Sequence, residues 1–161
     1  DPKALERIRK EAAEMAAAKH SSTATPLFLS GFSWPARGRV SGVYGSQRIL
    51  NGQPRRPHFG TDVAAPVGSP VHAIADGRVV FVHDGMFFNG KTVLIDHGLG
   101  LRSVYIHLSE TTIQQESMVR AGDMIGAVGQ TGRATGPHLH FALTLDETQI
   151  DPELVLGPMP E

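Results

Sequence analysis

The 161-residue chain contains no cysteine. That excludes disulfides, thiolate nucleophiles and cysteine-held zinc, and leaves His, Asp and Glu as the available metal ligands. It also lacks a charge imbalance: fifteen Lys and Arg against sixteen Asp and Glu give a net charge of -1. No electrostatic footprint therefore points to nucleic acid or to an anionic membrane surface, and a neutral or zwitterionic ligand is the expectation. No apolar run reaches the ~20 residues that cross a bilayer, so no membrane span is expected in this stretch. No repeat of fixed period is present. The first residue is Asp1, neither a methionine nor part of a signal sequence. The chain therefore reads as a fragment or processed product, with any export signal, anchor or preceding domain lying upstream.

What is abundant is turn chemistry. Glycine (18) and proline (11) are frequent, charged residues make up 19% and apolar residues 40%, the profile of one turn-rich β domain. Residues 2–19 are the exception. Strong helix formers there place Leu5, Ile8, Ala12 and Met15 at helical spacing, behind an Asp1-Pro2 start. The stripe is narrow and rich in alanine, which predicts a frayed end or the tail of a longer coiled coil. Ser21–Pro26 has linker composition. The expected organisation is a helix over 1–20 trailing from an upstream region, a linker over 21–33, and one β-rich domain over 34–161.

Beyond Trp34 short apolar segments follow one another at 77–82, 92–95, 103–108, 124–128 and 138–145. Turn signals such as Asp84-Gly85, Asn89-Gly90 and Thr131-Gly132 separate them. Closely spaced strands without intervening helical pattern predict a mainly β fold, an antiparallel sheet or sandwich, carrying one N-terminal helix.

Eight histidines raise the question of metal. In His138-Leu139-His140, strand alternation puts both imidazoles on one face and Leu139, Phe141 and Leu143 on the other. In His58-Phe59-Gly60-Thr61-Asp62, a bend at Gly60 brings a histidine and a carboxylate toward one ion. Nitrogen and carboxylate donors without thiolate favour zinc, and three protein ligands leave a position for water. Spacing leaves open whether His138 or His140 is the ligand. Alternation also puts Tyr105 and His107 on a common face, so a second strand presents His107 to the same cleft.

These segments resemble the lysostaphin-type, or LytM-like, zinc metallopeptidases, which cleave peptidoglycan peptides. His58–Asp62 is similar to the family's H-x-x-x-D ligand motif, and Val63–Val71 continues as family members do. Tyr105–Ser109 resembles the catalytic-histidine strand, and Thr131–Phe141 the most diagnostic stretch. The resemblance runs from Trp34 to Pro152. It implies a LytM-like fold and one zinc ion per chain held by His58, Asp62 and His140. It further implies that His107 and His138 orient or deprotonate water and stabilise the oxyanion. Arg48, in a segment similar to a glycine-arginine element of the family, is expected either to meet a substrate carboxylate or to hold its loop, and Tyr105 to touch substrate.

The implied partner is peptidoglycan, together with an upstream regulatory or inhibitory segment. The implied location is the periplasm or cell envelope of a Gram-negative cell, and the implied bond the D-alanyl to meso-diaminopimelyl cross-link. The alternative is a non-catalytic or latent module of this fold that activates cell-wall amidases. A lipoyl- or biotinyl-like carrier barrel, suggested by the turns around Val119–Asp123, lacks a presented lysine. His97, in Ile95-Asp96-His97-Gly98, is expected to brace its turn. Met86-Phe87-Phe88, apolar in a turn, is expected to pack against the sheet, with lining of the substrate groove as the alternative.

Overall fold

The computed structural model describes residues 1–20, 22–42, 48–50, 53–55 and 60–160. Its centre is an eight-stranded antiparallel sheet. The strand order is β1 (Arg39–Gly42), β4 (Thr61–Ala64), β12 (Leu139–Leu145), β8 (Leu101–Leu108), β7 (Gly90–Gly98), β6 (Gly77–Met86) and β10 (Met118–Val119), with β13 (Thr148–Ile150) also pairing with β12. A second sheet holds β5 (Pro70–His72), β11 (Met124–Ala127) and β9 (Glu110–Thr111), and a ribbon pairs β2 (Arg48–Leu50) with β3 (Gln53–Arg55). The mainly β, antiparallel expectation is met. The hairpins β6–β7 and β7–β8 are joined by Asn89-Gly90 and Gly98-Leu99-Gly100, where Gly90, Gly98, Leu99 and Gly100 all have positive φ.

Alternation divides the main sheet into two faces. On one, Val63, Ile95, Tyr105, Leu139, Phe141 and Leu143 join Val71 and Ile125 of the second sheet in the principal core. Trp34 closes its edge, meeting Phe141 edge-on at 5.9 Å and donating Nε1–H to the Pro158 carbonyl. On the other face a smaller cluster of Val80, Phe81, Met86 and Leu94 is covered by Met15 and Ala18 of the helix α1 (Pro2–Lys19).

That helix is docked, which corrects the expectation of a frayed end. Asp1 caps it through Lys3 N–H, and Pro2 opens it. The anchor is polar and hence invisible to hydrophobic periodicity. Glu11 is only 6% exposed; its carboxylate accepts from the Phe87 N–H at 2.8 Å and from Arg7 Nε at 3.3 Å, with His83 Nε2 at 3.5 Å. Arg7 in turn donates Nη2–H to the Gly85 carbonyl. A buried carboxylate is tolerated only with such partners, so these bonds fix α1 on the β6–β7 hairpin.

His97 is fully buried and braces more than its own turn. The Ile74 N–H donates to Tyr105 Oη, Tyr105 Oη and Ser103 Oγ are 2.7 Å apart, Ser103 Oγ and His97 Nε2 are 2.6 Å apart, and His97 Nδ1 lies 2.8 Å from the Asp76 carbonyl. Only one direction satisfies every donor. Nδ1 must carry the proton donated to Asp76, so Nε2 accepts from Ser103, whose oxygen accepts from Tyr105. Burial holds His97 below its ordinary value of about 6.5, against the opposing pull of the Asp76 carbonyl and of Asp96 and Asp76. Above pH ~6.5 folded and unfolded chains are both neutral here. Below it the unfolded chain binds a proton that the folded one refuses, so stability falls as pH falls, by at most about 1.4 kcal/mol per pH unit. Denaturant midpoints of metal-free protein between pH 7.5 and 5.5 are expected to show this slope, and His97→Gln to lose that part of it.

Candidate metal and catalytic site

The part of this same face that α1 leaves uncovered carries an open groove of about 640 Å³ over β4, β12 and the end of β8. Asp62 and His140 stand directly opposite one another on β4 and β12. His140 Nδ1 lies 2.6 Å from Asp62 Oδ1, and His138 Nε2 is 3.9 Å from the same oxygen. His140 and His138 thus turn to one carboxylate, as the period of two requires. The His138 Nδ1–H donates to the Gly136 carbonyl at 2.8 Å, which leaves Nε2 directed at the groove.

Gly60 explains how His140 fits. A Cβ there would lie 2.6 Å from both Cε1 and Nε2 of His140 and 2.9 Å from the Phe141 carbonyl oxygen. The absent side chain is the space occupied by the imidazole edge, so Nδ1 is the nitrogen turned toward Asp62.

His107 reaches the groove by breaking the alternation. Tyr105 lies in the core, fully buried, with its hydroxyl engaged by Ile74 and Ser103, and burial raises its phenol well above the usual range. This corrects the expectation that Tyr105 shares a face with His107 and touches substrate. The physical reason is backbone: His107 has φ +62, and the β7–β8 register slips between Lys91 and Val93, so the chain turns over after Ile106. A non-glycine residue in that region is strained unless its surroundings hold it. They do: the His107 N–H donates to the Asn89 carbonyl at 2.7 Å, and its Nδ1–H to the Thr131 carbonyl at 2.7 Å. Thr131 is fixed in turn, its Oγ1 donating to the Leu108 carbonyl and accepting from the Lys91 N–H.

The His107 and His138 rings are 5.4 Å apart. Burial is the main force keeping His107 below the usual histidine range; the Thr131 carbonyl opposes it, His138 and His140 add to it, and Asp62 opposes it. With Nδ1 committed to Thr131, a neutral His107 offers the Nε2 lone pair as a proton acceptor.

His58 and the Arg48 side chain lie outside the described residues. Among the described residues, no three His, Asp or Glu side chains converge as a complete metal-binding set; Asp62 and His140 form the innermost pair, with His138 beside them. The groove wall also includes residues that the sequence reading passed over: Arg39 and Ser41 from β1, and Arg133 to Pro137 from the loop after β11. Met86, Phe87 and Phe88 form the hairpin tip. Met86 packs in the smaller cluster while the Phe87 and Phe88 rings are exposed, with the Arg133 guanidinium 5.7 Å from the Phe88 centroid.

Residues 56–152 match the model of peptidase family M23, and the chain belongs to that family. Over 107 residues it is 45% identical to the DD-carboxypeptidase/endopeptidase Mpg of Neisseria meningitidis, an alignment covering 66% of this chain and 24% of that protein. The chain thus spans about a quarter of that relative's length. Its fold matches a putative peptidase M23 from Pseudomonas aeruginosa with a TM-score of 0.83 at 38% identity, over 97% of this chain and 63% of that one. A zinc-containing peptidase from Vibrio cholerae matches with a TM-score of 0.71 at 29% identity, over 81% of this chain and 41% of that one. The antiparallel β architecture with an N-terminal helix is accordingly that of M23 peptidases.

Proposed function

We propose that this chain is a zinc-dependent endopeptidase that hydrolyses amide bonds in peptidoglycan peptides, with the D-alanyl to meso-diaminopimelyl cross-link as its substrate. The observation that carries the reading is the convergence of Asp62, His140, His138 and His107 on one open groove. Membership of the M23 family, the endopeptidase name of a 45% identical relative and the zinc of a structural neighbour point the same way.

The donor chemistry fits the metal: a carboxylate and an imidazole nitrogen already turned to each other, no thiolate, and His58 as the third ligand. Asp62 and His140 with His58 would hold one zinc ion, which supplies polarisation of the scissile carbonyl and water acidified to a pKa of about 7. His107, neutral through burial and oriented by Thr131, takes the water's proton on Nε2 and returns it to the leaving amine. His138, anchored through its Nδ1–H to Gly136, turns Nε2 to the same groove and, when Nε2 also carries a proton, donates it to the amide oxygen on which negative charge develops. The open groove lets an extended peptide lie across the strands. Such an enzyme works in the cell envelope, the periplasm in a Gram-negative cell.

The test is digestion of purified cross-linked peptidoglycan followed by mass spectrometry of the muropeptides. Loss of dimers and gain of monomers is expected with zinc, and no change after chelation. Intact dimers with the zinc-loaded protein would overturn the reading, and stimulation of an amidase in the same assay would replace it with the amidase-activating alternative.

A further inference from the structure

The groove is bracketed by two arginines that have no carboxylate partner among the described residues. Arg39 projects from β1 and pairs in register with Ala64, two residues beyond Asp62. Arg133 stands on the opposite wall, where its N–H donates to the Phe88 carbonyl at 2.8 Å and its guanidinium rests over the Phe88 ring. That contact holds the cation at the groove without neutralising it. Among the described lining residues Asp62 is the only acid, and it is turned to His140. Apart from Asp62, the charge of the described groove is therefore cationic on both flanks.

Arg39 is on β1 and Arg133 rests against the β6–β7 hairpin, so the strand order places them on opposite sides of Asp62 and His140. From β1 to β7, the nearer strand of the hairpin that holds Arg133, there are four inter-strand steps of ~4.8 Å, or ~19 Å, which an extended peptide covers in about six residues. Resting on the hydrolase reading above, we propose that Arg39 and Arg133 are specificity-determining residues that bind free carboxylates within about three residues of the scissile amide on either side. The substrate class is then an acidic, uncapped peptide. A diaminopimelyl residue whose amine forms the cross-link carries a carboxylate beside that amide, whereas a glycine bridge carries none. The planar guanidinium donates two parallel hydrogen bonds to a carboxylate, and amidation removes the charge that strengthens them.

The experiment compares a synthetic cross-linked peptide bearing free diaminopimelyl carboxylates with the same peptide amidated at them. kcat/KM is measured for the wild type, Arg39→Ala, Arg133→Ala and Arg133→Lys. Amidation is expected to lower the wild-type value by about tenfold or more, as losing a charge-assisted hydrogen bond does. The acid-over-amide ratio should shrink in each alanine variant and recover in part in the lysine variant. Calorimetric binding of both peptides to zinc-loaded His107→Ala separates the two readings. Preferential binding of the acid form there, with no hydrolysis by the wild type, would sink the enzyme reading and keep the arginine assignment. Equal handling of acid and amide in both binding and cleavage would overturn the arginine assignment alone, as would a ratio unchanged in both alanine variants.

Discussion

His140→Ala is expected to remove zinc and peptidoglycan cleavage together, while His107→Ala keeps the zinc and loses about 10²–10⁴ in kcat, the usual worth of a general acid–base group. The two histidines lie on neighbouring strands of one groove, yet their nitrogens are committed differently. His140 turns Nδ1 to Asp62 at 2.6 Å, with its Cε1–Nε2 edge in the space that a side chain at Gly60 would fill. Removing it deletes a donor from the innermost pair. His107 spends Nδ1 on the Thr131 carbonyl, so only Nε2 is left to move a proton. Its loss leaves the donors of Asp62 and His140 in place. Metal content by elemental analysis, read beside single-turnover cleavage, separates the outcomes. Full zinc in His140→Ala, or unchanged turnover in His107→Ala, would contradict the division of labour.

Gly90→Ala is expected to lower kcat by about 10² and melt the protein earlier, with zinc content retained. Gly90 has φ +65, and a Cβ there would enter the space of Thr131, meeting its backbone carbonyl as well as its hydroxyl. Backbone cannot rotate out of the way as a side-chain tip can. Overpacking costs about 1–3 kcal/mol, and the left-handed conformation adds about 1 kcal/mol. The larger effect is on activity, because the displaced carbonyl is the one that orients His107, and a shift of ~1 Å in a catalytic group costs on the order of 10² in rate. Gly122→Ala is the control. It has φ +89 but no atom within 4 Å of the added carbon, so it should cost some stability and no turnover.

The parts of this molecule legible in its sequence are those governed by period. His138 and His140 share a face because a strand repeats every two residues, and Leu139, Phe141 and Leu143 feed the core for the same reason. The same rule misled at His107. A single residue at φ +62 reverses the face, and nothing in Val104-Tyr105-Ile106-His107 announces it. The signal lay elsewhere, in Asn89-Gly90 and Thr131, which hold the strained residue from distant parts of the chain. Polar anchoring is equally silent: Glu11 reads as a solvent-facing helix residue until Phe87 appears above it. Arg39 belongs to the groove because β1 flanks it, a fact of topology rather than of motif, whereas Arg133 lies inside the Thr131–Phe141 stretch, where its residue type alone announced no role.

The docking of α1 bears on where this molecule can be cut. The span that carries the family match starts at residue 56, and a cloning boundary at Trp34 would look generous on that basis. It would nonetheless strip the cover from Val80, Phe81 and Leu94 and leave the Phe87 amide without its carboxylate. The exposed strip would run along the hairpin that steadies His107 through Asn89 and Arg133 through Phe88. A trimmed product is expected to be sticky along that hairpin and loose at the groove beside it. The helix is thus part of the folded unit, although it lies well ahead of the first strand.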